Sequence, residues 1–398
     1  MKKYDFDKII DRKNTDCIKY DYIQKLQKDP DTLPLWVADM DFPVADPIIE
    51  AIRKVCDNGI FGYSDVGDDY YEAVAGWFTR RFGWTPEKSW MVLTPGVVFA
   101  ISVAVRTFTE PEEAVLIQTP VYYPFSEAIK KNRRTLVENP LVRDGLTFKI
   151  DFDDFEKKII EENVKMFILC SPHNPVGRVW TKEELRKMAD ICAANDVLII
   201  SDEIHCDITA PGHKHTLLPD LCPELKDRII CCTAPSKTFN LAGLQNSNIW
   251  IPSPSLRKKY TDALEMTGFY LPNQPGMVAC RAAYSEGEEW FDQCLEYIFK
   301  NYDFLKSYIA ENIPQLTVMD LQGTYLAWVD FSGLGLTPDE VDGLVCQKAK
   351  LWLDEGRIFG TGGDNFQRFV LACPRAILAE ALERLNEVIN GVIKNDSF

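Results

Sequence analysis

Lys237 stands in Ala234-Pro235-Ser236-Lys237-Thr238-Phe239-Asn240, directly after the apolar, cysteine-rich run Ile229 to Cys232. An amine placed where a buried strand hands over to a loop is positioned to attack a carbonyl, although a lysine there is more often a solvated strand end. Three other apolar runs end in chemistry-bearing residues: Ala114 to Gln118 leads to Tyr122 and Tyr123, Met166 to Cys170 leads to Asn174, and Val197 to Ile200 leads to Asp202 and His205. Another segment, Thr94-Pro95-Gly96-Val97-Val98, opens the apolar stretch Phe99 to Phe108. Glycine at a helix N-terminus leaves backbone N–H groups free to bind an anion. Each residue also has an ordinary role: Asp202 as a helix cap, Asn174 as a turn residue between prolines, His205 in the core, Gly96 in a turn, Ser236 as a loop hydroxyl.

The elements that must position these groups are legible over residues 90 to 255, where short apolar runs alternate with amphipathic segments. That is the pattern of a parallel sheet covered on both faces. The predicted strands are Ala114 to Gln118, Met166 to Cys170, Val197 to Ile200, Ile229 to Cys232 and Asn248 to Ile251. Thr181 and Glu184 make a capping box for a helix whose apolar face carries Leu185, Met188, Ala189 and Cys192. Residues 1 to 48 read as polar and irregular, followed by a helix from Pro47 to Cys56. Beyond 285 come a helix over Glu288 to Asn312, strands near Thr317 to Met319, Tyr325 to Phe331 and Arg368 to Ala372, a helix opened by Thr337, Pro338 and Glu340, and a closing helix from Ile377 to Ile393. The expectation is an α/β protein with a large domain over 49–285 and a smaller α+β domain built from an N-terminal arm, 1–48, and 286–398.

In an open parallel sheet, residues just past the strands converge at the carboxyl edge although they are far apart in sequence. Together they offer an aromatic face, an amide, a carboxylate, an imidazole, an amine and a helix N-terminus. Pyridoxal 5′-phosphate needs all of these: a lysine for its aldehyde, an acid for its ring nitrogen, donors for its phenolic oxygen, a stacking surface and an anion site. A dinucleotide is disfavoured, since no GxGxxG follows a strand, and the sequence has no Walker A loop.

Composition excludes other classes. The formal net charge is −16 and the 44 basic residues are scattered, which argues against nucleic acid. The segment Met1 to Asp16 has no apolar core and no run of eighteen uncharged apolar residues occurs, so neither export nor a membrane span is expected. None of the 12 cysteines forms a CxxC pair and most lie in apolar runs, as expected of buried thiols in the reducing cytoplasm. Of the four histidines, His213 and His215 flank Lys214 in a loop, without metal-ligand geometry.

The chain closely resembles the MalY/PatB group of cystathionine β-lyases, C–S lyases of the fold-type I, pyridoxal-phosphate-dependent aminotransferase superfamily. The matching blocks are PLWVADMDF (34–42), GYS (62–64), TPGVVFAI (94–101), SPHNPVGRVW (171–180), SDEIHCDI (201–208), APSKTFNLAGLQ (234–245) and FQRFVLACPR (366–375), covering the chain almost end to end. The resemblance implies a mostly parallel central sheet between helices, and a homodimer with shared active sites. It implies Lys237 as the Schiff-base lysine, Asp202 on the ring nitrogen, Asn174 and His205 at the phenolic oxygen and Tyr122 stacked on the ring, with Tyr123 an equal candidate for stacking. Gly96, Val97 and Ser236 would hold the phosphate, with Tyr63 reaching it from the neighbouring subunit, and Arg375 would clamp the substrate carboxylate as a bidentate fork. Trp36 and Ala38 either offer backbone to the substrate or pack the arm. One departure is Gln245, which stands eight residues after the lysine, where many aminotransferases carry a phosphate-binding arginine. The implied reaction expels a β-thiolate from a small amino-acid substrate, leaving pyruvate and ammonia. The alternatives are an aminotransferase and a protein of this fold with a regulatory binding role.

Overall fold

The computed structural model describes residues 2–395. Its central sheet has seven strands: β1 (Met91–Thr94), β2 (Ala114–Ile117), β3 (Thr135–Glu138), β4 (Met166–Cys170), β5 (Leu198–Asp202), β6 (Ile229–Thr233) and β7 (Ser247–Trp250). They lie in the order β1-β7-β6-β5-β4-β2-β3. All run parallel except β7, which is antiparallel to both neighbours. Strands β4 and β6 are buried along their whole length, which is why they read as unbroken apolar runs rather than as alternating ones.

Helices cover both faces, among them α1 (Asp46–Asn58), α2 (Asp68–Phe82), α3 (Val97–Phe108), α4 (Lys182–Ala194) and α5 (Gln274–Glu286), the last packed on α1 and α2. The capping box of α4 is present as the sequence indicates: the Glu184 N–H donates to Thr181 Oγ1, and the Thr181 N–H donates to the Glu184 carboxylate.

A second, antiparallel sheet of four strands follows: β8 (Thr317–Val318), β9 (Leu326–Asp330), β10 (Asp354–Glu355) and β11 (Phe366–Val370), in the order β8-β9-β11-β10. It is flanked by the long α6 (Glu288–Asn312) and the closing α7 (Arg375–Asn395). The helix opened by Thr337 has its capping box but ends at Asp342, giving way to a wider π-type turn over Gly343–Lys348.

The arm is less irregular than its composition indicates. It holds a helix at Ile18–Lys25 and a short strand, Leu33–Pro34, paired in parallel with Leu351–Trp352. A buried ion cluster fixes it. The Lys19 ammonium, fully buried, lies 2.6 Å from Asp41, while Arg12 forks across Asp39 and also reaches Asp41. Charges withdrawn from water this far are tolerated only when mutually paired, and the cluster therefore sets where the 34–42 segment must lie.

Candidate active site

Strands β4, β5 and β6 deliver their carboxyl ends to one cavity of about 500 Å³, bordered by Asn174, Asp202, His205 and Lys237 from this edge of the sheet. Lys237 sits in a single helical turn, Pro235–Thr238, immediately beyond β6. Its Nζ donates to the Ala38 carbonyl at 2.6 Å, and the Tyr325 hydroxyl donates to the same oxygen at 2.8 Å. Burial brings the lysine down to about 8, with the Arg368 charge adding to the effect and Asp39 and Asp202 opposing it. An amine tuned this way holds and releases a proton near neutrality.

Asp202 closes β5, nearly buried, and accepts the Ile204 N–H at 3.1 Å. Burial pushes its carboxyl up to about 7; that N–H and the Lys237 charge pull the other way, and Glu203 adds a little. His205 is buried edge-on to Tyr325, 5.8 Å between centroids, and held well below the usual imidazole range by burial and by Lys237 and Arg368. It is a neutral ring here.

Asn174 links the next two strands. Its carbonyl accepts from the Tyr122 N–H at 3.0 Å, and its side-chain oxygen accepts from Arg368 Nη1 at 3.1 Å. Tyr122 borders the cavity, whereas the ring of Tyr123 turns to a neighbouring cavity and packs on Phe359. Of the two tyrosines, Tyr122 is the one beside Lys237 and Asp202.

At the other end of the cavity stand Gly96 and Val97, where the N-terminus of α3 begins, with Ser236, Gln245 and Asn246. Asn240, in the left-handed region at φ 57°, reaches back to the arm: it accepts from the Met40 N–H and donates to the Met40 and Phe42 carbonyls. This clasp brings Ala38 over Lys237, and it also brings the Trp36 carbonyl within 2.8 Å of Arg368. Both arm residues thus turn a backbone oxygen toward the site.

Two sequence-derived positions fall outside the cavity. Tyr63 is fully exposed in this chain, in a run that also exposes Ile60 and Phe61. Arg375 is the second. It lies past the end of β11 as the first residue of α7, its Nε donating to Asn301 at 2.6 Å and its guanidinium lying 4.5 Å from the Phe304 ring. The arginine at the site is Arg368, in the middle of β11 and buried, bonded to Asn174, the Trp36 carbonyl and Asp354. The signal was a charged residue inside an otherwise apolar strand, which is rarely buried without a partner.

The donor set fits pyridoxal 5′-phosphate on grounds other than residue types. Buried polar atoms are ordinarily satisfied. Around this cavity His205 Nδ1, Asn246 Nδ2 and Arg368 Nε are all buried without a hydrogen-bond partner. They stand near the lysine, the phosphate end and the Asn174 side respectively. Asn246, whose oxygen accepts from Tyr70 while its amide N–H bonds stay free, was not singled out from sequence, because an asparagine just before a strand reads as a turn.

The sequence profile of the aminotransferase class I and II family matches residues 30–385. Cystathionine beta-lyase PatB of Bacillus subtilis is 40% identical over 385 residues, covering 97% of this chain and all of that protein. Protein MalY of Escherichia coli is 32% identical, covering 98% of this chain and all of that protein. The crystal structure of cystalysin from Treponema denticola, which contains pyridoxal 5′-phosphate, superposes with a TM-score of 0.95 at 39% identity, over 98% of this chain and all of that one. With the same fold and similarity from end to end, the chain belongs to the aminotransferase class I and II family, in the MalY/PatB group of pyridoxal-phosphate-dependent C–S lyases.

Proposed function

We propose that this enzyme cleaves the Cβ–S bond of L-cystathionine and related S-substituted L-cysteines, releasing a thiol, pyruvate and ammonia. The observation that carries the reading is the convergence of the Lys237 amine and the Asp202 carboxyl on one cavity, in a chain similar along its whole length to PatB. When bound, pyridoxal 5′-phosphate supplies an electron sink that stores the pair left by Cα–H cleavage and returns it to expel the β-sulfur.

The residues divide the remaining work. Lys237 would hold the cofactor's aldehyde, and its free amine would take the Cα proton; a group brought down to about 8 is basic enough to accept it and close enough to neutrality to give it up to the departing sulfur. Asp202 keeps a proton on the ring nitrogen. Asn174 and His205 would bond the phenolic oxygen, and Tyr122 would offer the ring its stacking face. The N–H groups at Gly96 and Val97 hold the phosphate, with Ser236 and the spare amide of Asn246. Arg368 takes the place given to Arg375 and holds the substrate's carboxylate, its partnerless Nε completing a fork.

The enzyme works as a homodimer in which the partner subunit's Tyr63 completes the phosphate site. Ile60, Phe61 and Tyr63, close together on one segment and exposed in the single chain, support this. The cytoplasm is the compartment suited to its cysteines, which are free thiols, most of them buried. The deciding experiment incubates pure holoenzyme with L-cystathionine, L-cystine and S-methyl-L-cysteine. Pyruvate released without any added keto acid supports the lyase; conversion that proceeds only with a keto acid makes it an aminotransferase.

A further inference from the structure

Asp207 is a buried acid that the reaction outlined above does not use. It closes the turn that follows β5, the segment that also carries Asp202 and His205. Within that turn the Cys206 N–H donates to the Glu203 carbonyl and the Ile208 N–H to the His205 carbonyl, which ties Asp207 to both site residues. Its two oxygens are taken by donors from two other elements. Trp77 Nε1, on α2, donates to Oδ1 at 2.8 Å, and Thr238 Oγ1 donates to Oδ2 at 2.6 Å. Thr238 follows Lys237 directly and is fully buried.

The turn that carries Lys237 cannot hold itself. Pro235–Thr238 is a single helical turn, and one turn fixes more dihedral angles than its hydrogen bond offsets. Among the described residues its only side-chain hydrogen bonds are Lys237 to Ala38 and Thr238 to Asp207. The first uses the amine itself, so only the second can hold the turn while that amine reacts. Trp77 also packs edge-on against Phe239, 5.3 Å between centroids, so the ring beneath the next residue is fixed by the same carboxylate. Burial pushes the Asp207 carboxyl upward, while the Thr238 and Trp77 bonds and the Arg81 charge hold it down. An apolar side chain would fill the space without the cost of withdrawing an acid from water, so orientation rather than packing is what this residue supplies.

We propose that Asp207 is a positioning residue, which through Thr238 fixes the rotation of the Lys237 turn and so aims the amine into the cavity that Asp202 and His205 also border. The proposal rests on the reading of Lys237 as the residue that bonds the cofactor.

The test compares full-length, cofactor-free wild type with Thr238→Val, Thr238→Ser and Asp207→Asn. Saturating pyridoxal 5′-phosphate is added over a range of pH, and absorbance gives the rate at which the amine bonds it. Thr238→Val keeps the shape of the side chain but leaves a buried carboxylate oxygen without its donor, so the turn must shift to bring it water. The groups around the amine, Arg368, Asp39, Asp202, His205 and Tyr325, lie outside the altered turn and stay. The amine, less well buried, then titrates above about 8, and near pH 7 the rate is expected to fall about tenfold, with its pH midpoint moving up by about one pH unit. Thr238→Ser restores the hydroxyl and should retain most of the rate. Asp207→Asn should slow the reaction by a similar factor and the double variant Asp207→Asn/Thr238→Val no further, because both remove one contact. A Thr238→Val rate and midpoint equal to wild type overturn the proposal even if the variant melts earlier, since a merely structural contact would lower the melting temperature and leave the amine unaltered. Should Asp207→Asn not fold, the Val and Ser variants decide alone. Borohydride reduction and peptide mapping of the same samples test the underlying reading separately: a cofactor found on another lysine in wild type overturns that reading and the positioning role with it.

Discussion

Arg368 and Asp354 face each other directly across the antiparallel pair β10 and β11, and their ion pair is almost wholly buried, with 2% and 6% exposure. A cross-strand partner fixes the guanidinium, with Nη1 on Asn174 at the border of the cavity and Nε left without a partner. Substituting either arginine therefore separates the two candidates for the substrate clamp. Arg368→Lys keeps the charge opposite Asp354 but loses the fork, and kcat/KM for every amino-acid substrate is expected to fall about 10²-fold. Arg375→Lys, outside the cavity, is expected to stay within a few-fold. Steady-state pyruvate release measures both.

Asp202 is buried at the border of the cavity, and on the proposed assignment its neutral replacement would leave the ring nitrogen without an acid partner. Asp202→Asn should lower kcat by about 10²-fold or more while the cofactor still bonds Lys237, as judged by absorbance. A variant with normal turnover would show that the ring does not need this carboxylate.

The same group makes stability depend on pH. Its folded value, about 7, lies above the ordinary carboxyl value of 3.8, so the folded state binds the extra proton across that interval. The stabilisation is fully present below pH 3.8 and is lost as pH rises through 7. Asn cannot ionise and escapes that loss. In cofactor-free protein the melting temperature of Asp202→Asn minus that of wild type should therefore grow from pH 5 to pH 8, a difference that scanning calorimetry resolves.

Asn246 offers a donor that no protein group accepts. Asn246→Ala should weaken cofactor binding about tenfold, the worth of a hydrogen bond to a charged group, and should reduce the rise in melting temperature on adding pyridoxal 5′-phosphate. An unchanged dissociation constant would remove Asn246 from the phosphate site.

Shared sites predict complementation. Lys237→Ala and Tyr63→Ala homodimers should each be nearly inactive. Unfolded and refolded together in equal amounts, they should recover about a quarter of wild-type activity, since half the dimers are mixed and one of the two sites in each is intact. No recovery would mean that each chain completes its own site.

Much of this was visible before the fold. β4, β5 and β6 announce themselves because a strand covered on both faces must be apolar throughout, and the residues that follow each one are therefore conspicuous. β1, from Met91 to Thr94, was not read as a strand, and the helix Asp68–Phe82 was passed over because its apolar face is interrupted by acidic and basic residues at both ends. The resemblance implies Arg375, but the block FQRFVLACPR holds two arginines and the match alone does not say which of them faces the cavity. Which of two arginines faces a cavity depends on the pairing of β10 with β11, and a two-residue strand such as β10 leaves almost no periodic trace. Ala38 is named through the resemblance, with packing of the arm left as its alternative, because its contribution is a carbonyl, which every residue possesses. Its location is set by the Arg12, Lys19, Asp39 and Asp41 cluster within the arm and by Asn240, a residue 200 positions from the Met40 carbonyl it bonds.

The central claim is that one amine carries the cofactor. Reducing the holoenzyme with borohydride makes that bond permanent, and peptide mass spectrometry then locates it. The cofactor's mass should appear on the peptide containing Lys237 and be absent from the Lys237→Ala variant. Finding it on another lysine, such as buried Lys19, would contradict the account.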